Sequence, residues 1–305
     1  MTGVRLGVVV NPTAGHGRGR TRGAELMQAA RRRGHDVTDL SATDLASATA
    51  HARQAVVRGL DALVVVGGDG MVHLGVNVVA ETDLPLGIIA AGSGNDVARA
   101  LGLPSHDVEA ALGVIEAGLE GGGRAVDAVQ AGPPDYSAHE WFVGVMSCGI
   151  DAAANARANE LTWPRGSGRY VRALASVLAG FHPYGYRVTM DDVVWESAGT
   201  LVAVANAPWF GGGLKISPGS LLDDGLLDVV LAGPLSRAGV MRIFPGVYTG
   251  RHLHHPAVEV FRTRTVLIEH SPIGPTPPVG FADGERFGPL PLRAEVRPGA
   301  VRLLG

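Results

Sequence analysis

Over roughly its first hundred positions the chain alternates short apolar runs with amphipathic stretches. Residues 5–10 form a β-branched run that Asn11-Pro12 ends, the pattern of a buried strand. Residues 20–33 carry helical periodicity that Gly34 closes. A strand at 36–40, a helix at 44–58 ended by Gly59, a strand at 62–66, a helix at 71–80 and a strand at 86–90 follow, and a further helix runs from the 92–96 loop to Leu101. Strands separated by helices predict a mostly parallel sheet covered on both faces.

The pattern changes after Gly121-Gly122-Gly123. Strands are predicted at 126–131, 140–147, 186–190, 201–206, 227–232, 258–262 and 266–269, with helices only at 167–180 and 236–249. This half reads as a separate β-dominated domain. The division is therefore an α/β domain at 1–124 and a β-rich domain at 125–305, whose last strands are expected to return to the first. The proline-rich segment 271–278 reads as a surface loop, and no internal repeat is present.

Composition narrows the setting. A length of 305 residues suits two domains, and a net charge of −3 offers no overall basic field for nucleic acid. Cys148 is the single cysteine, so no intramolecular disulfide is possible, which fits a reducing compartment. The first apolar run is too short for a signal peptide, and no unbroken apolar stretch reaches the ~18 residues of a membrane span. The expectation is a cytoplasmic protein that meets any lipid substrate by transient contact with the inner face of the membrane.

Three glycine-rich loops follow three predicted strands: Asn11-Pro12-Thr13-Ala14-Gly15, Gly67-Gly68-Asp69-Gly70, and Gly92-Ser93-Gly94-Asn95-Asp96. In a parallel sheet all three lie at the carboxyl ends of strands, where α/β proteins bind ligands. Glycine permits close backbone approach to phosphate, and helix N-termini offer free N–H donors. Each loop alone is equally readable as an ordinary βα turn; together they suggest a polyphosphate site. There is no GxxxxGK[ST] P-loop, and the GxGxG of residues 15–19 has the wrong spacing for a dinucleotide fingerprint. Arg18 and Arg20 are suited either to phosphate or to solvent.

The NPTAGHGRG start, the GGDG loop and the AAGSGNDVARALGLP stretch resemble the catalytic domain of the diacylglycerol kinase family, and Ser217–Asp228 and Phe281-Ala282-Asp283-Gly284-Glu285 resemble its metal segment and DGE motif. The resemblance covers nearly the whole chain in order. It implies an N-terminal Rossmann-like α/β domain of the phosphofructokinase and NAD kinase type, a C-terminal β-sandwich-like domain, ATP and Mg²⁺ as cofactors, and transfer of the γ-phosphoryl to a lipid hydroxyl, most directly that of diacylglycerol. ATP would lie across the strand ends of the first domain. The resemblance makes Asp69 and Glu285 catalytic, Asp69 near the metal and the transferring phosphoryl, and Glu285 as the general base that the weakly nucleophilic hydroxyl needs. Asn11, Pro12, Thr13, Ala14, Gly15, Gly67, Gly68, Asp69, Gly70, Ser93, Gly94, Asn95 and Asp96 would hold the nucleotide. Thr43 matches a further contact, with Ser41 competing for the role. Leu221, Asp224 and Leu226 would bind a structural Mg²⁺ through one carboxylate and two carbonyls, and Asp283 would orient the base or a magnesium ion. Relatives also form dimers.

One departure is visible. Where family members often continue GGDG with Thr, then Asn and Glu, this chain reads Met71, Val72, His73, Leu74; Met71 and His73 are closer to the sphingosine-kinase version. Diacylglycerol, a long-chain base and other lipids thus stay open as acceptors, beside a soluble acceptor such as NAD and a non-catalytic nucleotide binder. His252, His254 and His255 lack acidic or cysteine company at ligand spacing and read as structural. Trp209-Phe210 and Trp163-Pro164 read first as packing and second as the lining of a lipid cleft.

Overall fold

The computed structural model describes residues 3–105, 107–161, 163 and 167–305. The chain forms two compact units, Met1–Ala128 with Pro298–Gly305, and Val129–Arg297.

The first unit contains β1 (Arg5–Val10), α1 (Ala14–Arg32), β2 (Asp36–Asp39), α2 (Leu45–Arg58), β3 (Ala62–Gly67), α3 (Asp69–Val79), β4 (Leu86–Ala90), α4 (Asp96–Ala100), α5 (Val108–Gly121) and the start of β5 (Arg124–Gly132). The strands are parallel in the order β2-β1-β3-β4. Every residue of β3 and β4 is buried, as a sheet covered on both faces requires. The core joins Leu6, Val8, Val64 and Val66 to Leu26 of α1 and to Leu112 and Ile115 of α5. The sequence pattern did not predict α5, because its glycines and alanines weaken the apolar stripe. One of them, Gly118, lies where a Cβ would stand 3.0 Å from the Leu304 Cα, so its small size serves helix packing. α1 begins six residues before the predicted start, but Gly15, His16 and Gly17 within it have φ of 54°, 64° and 91°. The regular helix starts after this left-handed stretch.

The second unit continues β5 and adds β6 (Glu140–Phe142), β7 (Val145–Gly149), α6 (Ile150–Glu160), α7 (Ser167–Leu178), β8 (Tyr184–Met190), β9 (Val193–Gly199), β10 (Leu201–Ala205), β11 (Leu227–Ala232), α8 (Arg237–Val247), β12 (Val258–Thr263), β13 (Thr265–His270), β14 (Gly280–Ala282), β15 (Glu285–Gly288) and most of β16 (Leu292–Leu304). One antiparallel sheet runs β12-β11-β10-β7-β14-β15; β16, β13, β8 and β9 form the other layer. Side chains from both layers, among them Met146, Val202, Val229, Tyr186, Ile268 and Leu292, share one fully buried core, which makes the unit β-sandwich-like. The segment 140–147, read from sequence as one strand, is two strands broken at Val143-Gly144. The last residues of β16 return to the first unit, where Leu303 pairs in parallel with Leu86. Residues 271–278 carry no strand or helix.

Candidate active site

In the first unit, β1 leads by its helix to β2 on one side, and the chain then returns to place β3 on the other. The loops leaving β1 and β3 therefore diverge at a topological switch point, the usual position of a ligand crevice in an open α/β sheet. Asn11 sits there. Its amide continues the ladder to the Val66 carbonyl at 2.9 Å, while its Oδ1 accepts the Thr13 amide at 3.0 Å and the Thr13 hydroxyl at 2.8 Å. This Asx turn folds Pro12, Thr13 and Ala14 into a tight bend, and the left-handed Gly15 follows. A Cβ on Gly15 would meet the Ala91 carbonyl oxygen at 2.1 Å, so only glycine lets this loop approach the one after β4.

The other two loops meet backbone to backbone. A Cβ on Gly92 would lie 2.4 Å from the Gly68 Cα and 2.8 Å from the Asn95 side-chain oxygen. The amides of Ala91 and Gly92 both reach the Gly67 carbonyl, at 2.7 and 3.1 Å. Asn95, left-handed at φ 56°, closes the third loop by accepting the Gly92 amide at 2.9 Å and donating to the Gly92 carbonyl at 3.1 Å. Ser93 stays exposed at its tip. Asp69 is the first residue of α3, yet its Oδ1 accepts the amides of Asp96 at 2.7 Å and Val97 at 3.2 Å. It thus binds the GGDG loop to the start of α4. Although it opens α3, its carboxylate caps the start of the neighbouring helix. Asp96 is buried and paired with Arg99, which also donates to the Gly94 carbonyl at 3.0 Å.

Two arginines of α1 join this cluster. Arg18 donates to the carbonyls of Gly15 at 2.9 Å and Gly92 at 3.4 Å, and Arg22 to that of Ala90. Sequence reading weighed Arg18 but missed Arg22, whose only signal is its spacing of four from Arg18. Thr43 and Ser41 separate clearly. The Ser41 hydroxyl accepts the Val10 amide at 2.9 Å, at the carboxyl end of β1, whereas exposed Thr43 donates at 3.4 Å to Asp44, the N-cap of α2. The departures at Met71 and Leu74 are core substitutions, both side chains being buried. Met71 fills the space above Gly67, where a Cβ would stand 2.3 Å from its Cγ.

The second unit holds the DGE segment in a hairpin. Asp283 and Gly284 have φ of 51° and 87°, and Ala282 pairs with Glu285, the two-residue turn with both φ positive that suits Asp-Gly. The Asp283 carboxylate accepts the amides of Val143 at 3.2 Å, Gly144 at 3.0 Å and Val145 at 3.2 Å. The carboxylate therefore fastens the hairpin to the break between β6 and β7. Asn206, which the sequence gave no reason to single out, holds the same break: its amide donates to the Gly144 carbonyl at 2.9 Å and its side chain to the Val143 carbonyl at 2.9 Å. Glu285 is half-buried at the head of β15, and its carboxylate has no hydrogen bond or ion pair among the described residues. A carboxylate on an anchored turn without a fixed partner is suited to take up a proton.

The turn before β11 was expected to hold a structural magnesium at Leu221, Asp224 and Leu226. Leu221 is exposed, and the Asp224 carboxylate accepts the Leu226 amide at 3.1 Å. The same carboxylate is paired with the Arg262 guanidinium, whose Nε lies 3.3 Å from Asp228. Asp228 in turn accepts the hydroxyls of Ser220 at 2.6 Å and Ser217 at 3.3 Å. The carboxylate expected to meet the ion is thus held by a guanidinium in this arrangement. His252 is buried with Nε2 3.0 Å from the Ile216 carbonyl, burial holds its pKa below the ordinary value, and the His255 Nδ1 accepts the Ala257 amide at 3.1 Å. Both are structural.

A cavity of about 70 Å³ lies in the second unit between α7, α8 and the outer face of β10–β11, lined by Tyr170, Leu174, Phe210, Ile216, Ile243 and Phe244. Asp151 also lines it. Burial pushes this carboxyl up to about 6, against hydrogen bonds from Ser147 and the Ala152 amide that pull it down. Phe210 of the expected aromatic pair thus reaches an apolar cavity, while Trp209 stacks under Lys215. Trp163 is exposed, and Pro164 lies outside the described residues.

Comparison with known proteins shows which family the chain resembles. Residues 5–131 match the model of the diacylglycerol kinase catalytic domain, and residues 144–305 that of the YegS C-terminal NAD kinase beta sandwich-like domain. A diacylglycerol kinase of Mycobacterium tuberculosis is 34% identical over 303 residues, covering 98% of this chain and 94% of its own. One from Bacillus subtilis is 26% identical over 277 residues, covering 88% and 86%. The crystal structure of a diacylglycerol kinase from Bacillus anthracis str. Sterne superposes with a TM-score of 0.72 at 21% identity, covering 100% and 97%. Two domain matches in the expected order and a full-length relative at 34% identity establish that this chain belongs to the diacylglycerol kinase family and is a lipid kinase.

Proposed function

We propose that the protein transfers the γ-phosphoryl group of ATP to the free hydroxyl of diacylglycerol, giving phosphatidic acid and ADP. The interlocked glycine loops of the first unit support the nucleotide half. Their backbone amides at a switch point form the kind of cradle that holds phosphate oxygens without needing a P-loop lysine. Asn11, Gly15, Gly68, Gly70, Ser93 and Gly94 line it, and Asp69 holds the second and third loops in register. A divalent cation accompanying ATP would neutralise charge on the β- and γ-phosphates. On the acceptor side, Glu285 takes the hydroxyl proton as the new O–P bond forms and the bond from the γ-phosphorus to the β,γ-bridging oxygen breaks, with ADP leaving. Asp283, through three backbone amides, fixes the turn from which Glu285 projects.

One observation carries the choice of a lipid acceptor: the second unit holds a cavity walled mainly by apolar side chains, with Asp151, Thr200 and His252 among them. A mainly apolar lining with a few polar groups favours an aliphatic chain over a wholly polar acceptor. The test is labelled phosphate transfer in mixed micelles, run in parallel with diacylglycerol, a long-chain base, ceramide, NAD and no acceptor. Labelled phosphatidic acid as the principal product supports the reading. Transfer to NAD alone, or to a long-chain base in preference, replaces it.

A further inference from the structure

The net charge of −3 conceals a strong local asymmetry. Residues 161–186 and 233–258, which contain α7 and α8, include six arginines and no aspartate or glutamate. The two helices are neighbours: the Tyr170 and Phe244 rings stack at 6.5 Å, and Leu174, Leu178 and Val240 share one buried cluster. Their inner faces close over the apolar cavity, so their outer faces point away from it. On these helices and in the segments flanking them, large apolar side chains stand in water. Trp163 is 70% exposed, Met241 54%, Val171 48% and Tyr248 46%. Arg172 lies over the Trp163 ring at 5.5 Å and donates to its carbonyl at 2.7 Å. Arg172, Arg242 and Arg251 have no carboxylate partner among the described residues, although ion pairs are common elsewhere on this surface.

Exposed Trp, Tyr and Met set among unpaired arginines make an amphipathic surface of the kind that sits in the headgroup layer of a bilayer. A face complementary only in charge would serve an acidic protein as well. Here the aromatic and thioether side chains need an apolar phase, and the lack of aspartate and glutamate within these two segments favours a surface of uniformly negative charge. We propose that the outer face of α7 and α8 docks the enzyme on an anionic membrane, with Trp163, Val171, Met241 and Tyr248 entering the interface and Arg172, Arg242 and Arg251 meeting lipid phosphates. The inference rests on the lipid-acceptor reading above and adds to it the face by which lipid is reached.

Flotation with vesicles of phosphatidylcholine, and of equimolar phosphatidylcholine and phosphatidylglycerol, tests it on the full chain. Wild type is expected to float with the anionic vesicles and much less with the neutral ones, and to lose binding as salt rises. Each arginine near such a surface contributes roughly fivefold, so the Arg172→Gln/Arg242→Gln variant should bind about 25-fold more weakly. The corresponding double lysine variant should bind as wild type does, which separates lost charge from lost folding. Trp163→Ser should weaken binding to both vesicle types. Phosphorylation of a short-chain diacylglycerol dispersed below its micellar concentration should be unchanged in all variants, so loss of docking and failure of the lipid-kinase reading give different results. Undiminished anionic binding by the glutamine variant overturns the proposal. So does a wild type that ignores vesicles and instead forms a dimer that Trp163→Ser dissociates.

Discussion

At the scale of single residues, two carboxylates in one hairpin have different tasks. Asp283 is fully engaged with backbone amides, and Glu285 is free of fixed partners. Glu285→Gln should reduce lipid-dependent turnover by roughly 10²–10⁴-fold, the span for loss of a general base, with ATP affinity unchanged in a binding titration. Asp283→Ala should act through structure: with three amides deprived of a charged acceptor, unfolding free energy should fall by about 2–3 kcal/mol in denaturant titrations. Both residues were legible in the sequence through the Asp-Gly-Glu motif. What was not legible is that Asp283 has backbone partners 138–140 positions away, a contact that leaves no local pattern. Asp151 shows the same limit, since nothing near it in sequence announces an apolar cavity. Its carboxyl is raised to about 6 by burial, so the folded state holds its proton more tightly than the unfolded one. The stability this gives is fully present below the unfolded value near 4 and is lost as pH rises through about 6. Asp151→Asn should therefore stabilise the protein relative to wild type at pH 8 by up to ~3 kcal/mol, with the gain vanishing by pH 4, as thermal unfolding of the two proteins across pH would reveal.

At the scale of elements, the alternating pattern predicted the parallel strands well, because buried β-branched runs between glycine turns have few other readings. It failed at α5, where small residues replace the apolar stripe, and at the 140–147 run, which tertiary contacts from Asp283 and Asn206 split in two. The three glycine loops were legible as loops; their mutual contact was not. That contact supports a sharp expectation. Gly92→Ala sets a methyl group against the Gly68 backbone, and the two loops must part. ATP affinity by calorimetry should fall at least tenfold, while the sheet and global stability change by less than the affinity does. The turn before β11 is another place where the element adds what the motif does not show. The motif implies a structural magnesium, and Arg262, outside the motif, reaches the same carboxylate from the neighbouring strand. Without nucleotide, the melting temperature of the wild type should be indifferent to Mg²⁺ and to chelator, whereas Arg262→Ala should gain a Mg²⁺-dependent rise as Asp224 becomes available to the ion. A wild type that loses stability on chelation would show that the ion displaces the guanidinium.

For the whole molecule, the sequence supplied two domains of different class, and the structure adds how the chain is divided between them. It leaves the first unit within β5 and re-enters it within β16, so the first unit is built from two segments and the second from the one between them. That return was expected, but β16 was not predicted: Leu292, Ala294 and Val296 do alternate with polar residues, yet Pro298-Gly299 in its middle reads as a turn rather than as one long strand. The identity of the acceptor belongs to this scale too. Apolar walls carry no motif, which explains why the sequence left several lipids open while the cavity of the second unit favours an acyl chain. The most direct test is transfer of labelled γ-phosphoryl from ATP to diacylglycerol in mixed micelles, with the lipid product isolated and identified. Labelled phosphatidic acid, formed by the wild type and lost in Glu285→Gln, is the expected result. ATP binding with no label in any lipid would contradict the proposal that this lipid kinase transfers phosphoryl from ATP to diacylglycerol.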